Sequence, residues 1–215
     1  ALELATTASN NVAVGKNALT ATTTGGNNCA MGQNSMAANT TGADNVAIGL
    51  NALNACTEGD ENTAVGRNAL DSNTTGTSNT AVGSHALNAQ TTSGYNTAVG
   101  RYAGYSTTAS QNTFLGYRAG RDSNASDVCY IGYDSAYRAT GASNTCVGHR
   151  TMDASSCDGA NNTAIGREAL GVLTSGDGNT ALGYFAGNVT TGDNNTLLGN
   201  GANVPTASDS NCVTL

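Results

Sequence analysis

The sequence predicts an all-β fold: a β-solenoid or β-roll of about thirteen coils, each of about 16–18 residues with two short strands, in one domain over residues 1–215. Three observations support this prediction. A five-residue unit of the type Asn-Thr-Ala-Val-Gly recurs along the chain, its glycines follow one another at nearly constant spacing, and the intervening segments are polar and rich in Thr and Gly. A fixed period of this kind is typical of solenoids, in which each repeat is one coil stacked on its neighbours.

The five-residue unit occurs twelve times in full, and a thirteenth copy begins at Asn211. Its first position is Asn in every copy except the one that begins at Val128. Because an asparagine amide can both donate and accept, this column predicts a ladder of side chains that bond the coils on either side. The complete copies span residues 11–15, 28–32, 45–49, 62–66, 79–83, 96–100, 112–116, 128–132, 144–148, 162–166, 179–183 and 195–199.

The unit alternates as a strand does. Thr63 and Val65, at the second and fourth positions, project to one face, and Ala64 projects to the other. Neither face is charged, so we expect both to be buried, with the alanine face suited to close approach of a neighbouring strand or another chain. The fifth-position glycine lets the chain turn where a Cβ would clash. Three successive copies represent this structural repeat: Asn62, Val65, Gly66, Asn79, Val82, Gly83, Asn96, Val99 and Gly100.

A small residue and then an apolar one follow three and four residues after each glycine, and we expect this pair to mark the second strand of the coil. Clear examples are Ala18-Leu19, Ala52-Leu53, Ala69-Leu70 and Ala169-Leu170. In three coils a Gly replaces the large residue and the interval to the next unit is shorter: Ala103-Gly104, Ala119-Gly120 and Ala186-Gly187. Lost bulk and a shorter turn are therefore expected to be one geometric change. Thr-Thr-Gly spacers predict tight turns between the strands.

The composition argues against catalysis and against a cofactor or metal site. No nucleophile, base and acid set stands in a recognisable context, and the repeat explains the 28 glycines, so we expect no enzyme, no cofactor and no metal site. His85 and His149 follow repeat glycines and are expected to be solvated. A net charge of −7 without a basic patch argues against nucleic acid as a partner. No apolar run is long enough for membrane insertion.

Six cysteines are predicted to be free thiols, because no aligned pair falls on adjacent coils and no Cys-x-x-Cys pair suggests zinc. Cys29, Cys129 and Cys212 stand at the second position of the unit, and Cys146 stands at the third. Each replaces a small residue that we expect to be buried. Two more cysteines, Cys56 and Cys157, lie in spacers.

Seven of the eight tyrosines fall between residues 95 and 137, in a stretch that also contains several Arg and Asp residues. Tyrosine beside Arg and Asp can stack on sugars and hydrogen-bond to them. The candidate glycan-binding residues are Tyr102, Tyr105, Tyr117, Arg118, Tyr133 and Tyr137. The alternative interpretation is core complementation, in which bulky residues such as Phe114 and Tyr130 fill space left where Gly replaces Leu.

The two ends match the repeat at unusual points. Ala1-Leu2 lies as far from Asn11 as Ala18-Leu19 lies from Asn28, and the thirteenth copy stops where its glycine is due. Neither end reads as a polar capping repeat. We therefore expect either part of a longer fibrous chain or a subunit that stacks end to end.

The unit and the small-apolar pair that follows it resemble the head repeats of trimeric autotransporter adhesins. They resemble still more closely the repeat arrays of phage tail fibres, which also match in period. The resemblance covers essentially the whole chain and implies three identical chains around a common axis, in an extracellular or virion fibre that acts as a rigid spacer for host attachment. It carries over no functional residue, because the repeat positions of these families are structural.

Three functions compete at this point. The first is a fibre segment of a phage tail or surface adhesin, with the chain itself as partner in a homotrimer and cell-surface glycans or a receptor as further partners. The second is a secreted filament subunit that stacks end to end. The third is an ice-binding solenoid with Thr columns, against which we note that Val or Ile shares the Thr face, as a core would require, and that Cys and Val interrupt the Thr row.

Overall fold

The computed structural model describes residues 4, 6–154, 156–187 and 191–215. These residues form thirteen short strands and no helix. One strand falls in each copy of the five-residue unit, because alternating Thr, Ala and Val residues favour an extended, pleated backbone. The strands are β1 (Val12–Val14), β2 (Cys29–Met31), β3 (Val46–Ile48), β4 (Thr63–Val65), β5 (Thr80–Val82), β6 (Thr97–Val99), β7 (Thr113–Leu115), β8 (Cys129–Ile131), β9 (Thr145–Val147), β10 (Thr163–Ile165), β11 (Thr180–Leu182), β12 (Thr196–Leu198) and β13 (Val213–Thr214).

The chain divides into two compact units, residues 1–110 (unit 1) and 111–215 (unit 2). In unit 1 the strands β1 to β6 pair in parallel, each with its neighbour in sequence, and in unit 2 the strands β7 to β13 do the same. The register places equal positions side by side, as in the pair Thr63 and Thr80. This confirms the prediction of an all-β solenoid in which each repeat is one coil.

The thirteenth copy departs from the predicted alignment by one residue. Thr196 pairs with Val213, and the Cys212 N–H donates to Asn195 Oδ1. Cys212 therefore takes the first position of that copy, and its prediction as a second-position residue is wrong.

Each coil has one strand, so the expectation of a second strand is wrong. The small-apolar pairs Ala18-Leu19, Ala52-Leu53, Ala69-Leu70 and Ala169-Leu170 lie in turns. Asn68 and Leu70 have φ angles of 56° and 51°, and left-handed residues at alternate positions prevent an extended backbone there. The coils still bond to each other at this point, since the Leu70 N–H donates to the Ala86 carbonyl at 3.0 Å. The pair Ala1-Leu2 lies outside the described residues.

The third position faces the interior of the coil. Ala64, like its counterparts Ala30, Ala47, Ala81 and Ala98, is fully buried. The second and fourth positions point outward and stay partly exposed in every strand. Two expectations are therefore wrong: the sheet is buried on one face only, and the alanine face lines the core instead of meeting another chain.

A ladder of buried asparagines runs along the strand entries, as predicted. The backbone N–H of Asn79 donates to Asn62 Oδ1 at 3.0 Å, and Asn79 Nδ2 donates to the same oxygen at 3.1 Å. Asn62 Nδ2 also donates to the Gly76 carbonyl at 2.8 Å, which ties the strand to the spacer. In unit 2 the first position of β8's copy is Val128, whose N–H donates to Asn112 Oδ1 at 3.2 Å. Val128 has no amide with which to continue the column.

The fifth-position glycines stack on one another. Gly66 has φ 135°, and a Cβ on it would lie 2.7 Å from the carbonyl carbon and oxygen of Gly83. Both the backbone conformation and the close approach of the next coil therefore require glycine. This matches the reason given for these residues in the predicted repeat.

All six cysteines are free. Cys56, Cys146 and Cys157 are buried, whereas Cys29 and Cys129 are partly exposed because the second position faces outward. The expectation that second-position cysteines are buried is therefore wrong. Burial raises the pKa of both the Cys56 and the Cys157 thiol from the ordinary value of 9.0 to about 11.

Candidate functional site

The first candidate surface is the outward side of the strands, which we call the outer sheet face. It consists of the second-position and fourth-position side chains of β1 to β6 in unit 1 and of β7 to β13 in unit 2. In each unit the fourth-position column is aliphatic, and its exposed members include Met31 (42% exposed) and Ile48 (39%) in unit 1 and Leu182 (49%) in unit 2. Apolar side chains repeated in this way along a column form, within each unit, a patch of the kind that marks interaction surfaces.

The second-position column of the outer sheet face is rich in threonine. Unit 1 carries Thr63, Thr80 and Thr97 in adjacent paired strands, and unit 2 carries Thr163, Thr180 and Thr196 in the same arrangement. Parallel strands lie about 4.8 Å apart, so these hydroxyl and methyl groups repeat at that spacing. The sequence had pointed to a core here, and the structure places the column at the surface.

In unit 1, His85 packs against two of the candidate glycan-binding residues. Its ring centroid lies 5.1 Å from that of Tyr102 and 6.3 Å from that of Tyr105. Arg101 places its guanidinium 4.7 Å from the centroid of the Tyr102 ring. Burial, and then the cations Arg67 and Arg101, lower the pKa of His85. His85 is thus half-buried in an aromatic cluster, where solvation had been expected.

In unit 2, three rings at the position after the repeat glycine form a stack. Tyr117 and Tyr133 have centroids 5.2 Å apart, and Tyr133 and His149 have centroids 5.1 Å apart with an angle of 7° between their planes. The in-register coils cause this arrangement, because equal positions of adjacent coils lie side by side. Each ring covers part of its neighbour's face, while Tyr133 keeps 46% exposure and His149 is exposed.

A charged pair lies beside the stack at the next position of the same coils. Arg118 donates from Nε and Nη2 to the two carboxylate oxygens of Asp134, at 2.6 and 2.5 Å. These hydrogen bonds raise the pKa of Arg118 above its ordinary value. The guanidinium also lies 5.0 Å from the ring centroids of both Tyr117 and Tyr137. Two-point contact with a carboxylate holds the guanidinium plane in a fixed orientation.

Tyr137 is the centre of a second group of arginines. Arg121 donates to the Tyr137 hydroxyl and to Asp122, and Arg138 lies 5.0 Å from the Tyr137 ring centroid. The Arg138 side chain is 52% exposed, and its Nε lies 4.0 Å from Asp122 Oδ2. Of these cations, Arg138 is therefore the one held most loosely by protein carboxylates.

Residues of the ring stack, of the charged pair and of the group around Tyr137 line an open cleft of about 670 Å³, which we call the aromatic cleft. Its aromatic walls are Tyr133, Tyr137 and His149. Its charged walls are Arg118, Asp134, Arg138, Arg150 and Asp153. Arg150 donates from Nε to Asp153 Oδ2 at 2.7 Å, so two of the three arginines are paired within the cleft.

The structure brings together only part of the predicted glycan-binding set. Tyr133, Tyr137 and Arg118 line the aromatic cleft, and Tyr117 stacks on its edge, whereas Tyr102 and Tyr105 belong to unit 1. Sequence analysis missed the cleft residues Asp134, Arg138, His149, Arg150 and Asp153. A signal was present, because positions 117, 133 and 149 are equivalent in successive repeats, and so are positions 118, 134 and 150.

Two of the aromatic residues in the tyrosine-rich stretch belong to the core. Phe114 and Tyr130 are fully buried, with ring centroids 5.8 Å apart. Burial raises the pKa of Tyr130 above its ordinary value. Core complementation is thus the correct interpretation for these two positions.

The described part of the chain contains no group of three or more His, Cys, Asp or Glu side chains able to hold a metal ion. Within the same residues, no helix has the length and apolarity needed to cross a membrane. No family model matches the chain, and no curated protein matches it either.

Proposed function

We propose that this chain is a structural segment of a fibre, either the tail fibre of a phage virion or a surface adhesin. In this role it acts as a rigid spacer that presents a host-binding element and contributes to binding itself. Its partners are copies of the same chain, arranged as a homotrimer, and glycans of a cell surface. Such a role needs no catalysis, no cofactor and no insertion into a membrane.

The observation that carries this proposal is the outer sheet face. The inner side of strands β2 to β12 is buried, whereas the outer side leaves a column of Val, Ile, Leu and Met partly in water. Covering an apolar side chain is favourable by about 25 cal/mol per Å², and the gain repeats at every coil. Three chains around an axis could each direct this face inward, which is the arrangement that the resemblance to fibre and adhesin repeats implies.

The test is the mass of the particle in solution. Multi-angle light scattering on the eluted protein is expected to give three times the chain mass of 21.3 kDa at all concentrations. The substitution Ile48→Lys places a charge in the aliphatic column and is expected to convert the trimer to monomer. A matched control is Thr41→Lys, which adds the same charge at an exposed spacer position of unit 1 and should leave the trimer intact.

Other outcomes count against the proposal. A wild-type monomer would contradict the homotrimer, and a mass that grows with concentration would favour the filament subunit that stacks end to end. Dissociation by Thr41→Lys as well as by Ile48→Lys would mean that the outer sheet face is not the interface.

Ice binding remains a second candidate because of the outward threonine columns. One objection raised from sequence was that Thr and Val share a core face, and it does not hold because the face lies at the surface. The other objection still counts against ice binding, since Cys29, Val46 and Cys129 interrupt the Thr row. A flat, regular array of Thr methyl and hydroxyl groups at about 4.8 Å spacing is a surface that can order water. The two candidates exclude each other on one face, since a trimer buries what an ice binder must expose.

Thermal hysteresis decides this second candidate. An ice binder is expected to depress the freezing point relative to the melting point as a monomer, and to lose the effect when Thr80→Tyr breaks the column. Absence of hysteresis in a monomeric sample would remove ice binding.

A further inference from the structure

The geometry points to the aromatic cleft as a binding site for a carboxylate-bearing oligosaccharide. This inference deepens the surface-binding part of the proposed function and rests on it. It names both the place of binding, which is the wall formed by Tyr133, Tyr137 and Arg138, and the charge of the sugar.

The charge distribution favours an anionic ligand in the aromatic cleft. The chain carries a net charge of −7, yet the aromatic cleft has three arginines and only two aspartates. Four of the seven arginines fall between residues 118 and 150. A local excess of cations on an acidic protein attracts anions to that place, and the negative charge elsewhere repels them.

The guanidinium N–H groups in the aromatic cleft can donate hydrogen bonds to a carboxylate. Asp134 and Asp153 each take part of one guanidinium, which fixes Arg118 and Arg150 while leaving further N–H groups on both. Arg138 is 52% exposed, and its nearest carboxylate oxygen lies 4.0 Å away. A guanidinium binds a carboxylate through two parallel hydrogen bonds. Arg138 is therefore the residue best able to bind the carboxylate of a uronate.

The aromatic rings of the cleft favour an oxygen-rich ligand over an apolar one. Tyr133 and His149 lie nearly parallel, so part of each ring face is covered by its neighbour. Their edges, the Tyr133 hydroxyl and the imidazole nitrogens remain for hydrogen bonds. A sugar offers hydroxyls to these groups, whereas a flat apolar ligand would need the covered faces.

The length of the site favours a chain of several sugars over a monosaccharide. A second hollow of about 440 Å³ shares Arg150 and Asp153 with the aromatic cleft and extends to Val172 and Phe185, which are 43% and 48% exposed. Two adjoining hollows fit a linear chain of several sugar units better than one monosaccharide. Nucleic acid is also a linear anion, and a titration with oligodeoxythymidylate distinguishes it from a uronate.

Binding is measured by isothermal titration of the full chain with three probes: tetragalacturonate, tetramannuronate and tetraguluronate. At least one is expected to bind with saturation, and its methyl ester, which keeps the shape and removes the charge, is expected to bind about tenfold more weakly. Higher salt should weaken the binding of the acid and leave that of the ester unchanged.

Two substitutions locate the site. Arg138→Gln is expected to weaken binding about fivefold or more, since it removes an exposed cation that holds no buried carboxylate. Arg67→Gln is the matched control: Arg67 is exposed, lies in unit 1 and lines neither the aromatic cleft nor the second hollow. This control should change the affinity by less than about twofold.

The inference is overturned if none of the three uronates binds, if ester and acid bind equally, or if Arg138→Gln and Arg67→Gln have the same effect. Tighter binding of oligodeoxythymidylate than of any uronate would assign the cleft to nucleic acid instead. Particle mass is recorded on the same samples. A monomer that binds uronate keeps this inference and removes the trimer, whereas a trimer that binds none does the reverse.

Discussion

A coil of unit 1 and the coil of β7 in unit 2 fill equivalent interior positions with different side chains. In unit 1 the strand contributes a small residue and the turn a large one, as with Ala64 and Leu70, both fully buried. In β7's coil of unit 2 the strand contributes Phe114 and the turn contributes Gly120. A Cβ on Gly120 would overlap Phe114 Cε1, so the ring occupies the place that a turn side chain fills elsewhere.

A second turn glycine, Gly187, lies near the end of unit 2. A Cβ on Gly187 would lie 2.6 Å from Leu170 Cδ2, in the turn of the preceding coil, and 3.1 Å from Leu197 Cδ1, at the third position of β12 in the next coil. The space beside a turn glycine is thus filled by side chains of the same coil, as at Gly120, or of the neighbouring coils, as at Gly187. Close packing explains this, because a coil too empty leaves a cavity and one too full strains the backbone.

The largest effect is expected from emptying the space beside Gly120. Phe114→Ala should lower the free energy of unfolding by about 3–5 kcal/mol, because the turn side offers only glycine to refill the space. Adding Gly120→Leu to this variant should restore part of the loss, since Leu70 adopts nearly the same φ, 51° against 56°. Recovery should be partial because Tyr130 Cδ2 still lies 3.0 Å from the new Cβ. Denaturant unfolding at fixed protein concentration measures both variants.

The control is Phe185→Ala, which removes a ring of the same size that is 48% exposed. Its cost should be well below that of Phe114→Ala. If the double variant loses as much stability as the two single variants together, strand and turn do not share one space and the comparison fails.

A smaller effect is expected at the asparagine ladder, which is continuous in unit 1 and interrupted in unit 2. Asn62→Ala removes the acceptor for the Asn79 N–H and the donor to the Gly76 carbonyl, both buried. The loss should be about 2–3 kcal/mol, the cost of leaving buried polar groups without partners. Val128→Ala at the same position of unit 2 removes only methyl groups, and about 1 kcal/mol is expected. Hydrogen exchange at residues 62–79 should rise in the first variant alone, and equal costs for the two changes would contradict the role of the ladder.

The smallest effect concerns a feature that the two units share. Cys56 in unit 1 and Cys157 in unit 2 are neutral thiols whose pKa burial raises from 9.0 to about 11. Above pH 9 the unfolded chain loses these protons first, so stability falls as the pH rises from 9 through 11, by about 1–2 kcal/mol per thiol. Cys56→Ala and Cys157→Ala should each flatten this slope. Cys29→Ala, at a partly exposed position, should not, and an unchanged slope in the buried-thiol variants would refute this origin.

Much of the fold could be predicted because each coil repeats the same local chemistry. The spacing of Gly66 and Gly83 set the coil length and the parallel register, and a column of Asn side chains implied the ladder. The second strand could not be predicted correctly, since Leu70 is a residue of ordinary extended or helical preference that adopts a left-handed conformation here. The aromatic cleft was half found: tyrosines were visible as a cluster, but Arg138 and Arg150 gained meaning only from the stacking of coils.

The sequence by itself determined the period, the pairing of equal positions and the division of each strand into two faces, because these depend on local backbone geometry. Only the tertiary structure decided which face is inside. Alternation is symmetric, and an uncharged Thr and Val face is as suited to a core as an Ala face. Closure of a narrow coil selected alanine for the interior, where a single Leu or Phe completes the packing, and this choice left the Thr and Val face outward.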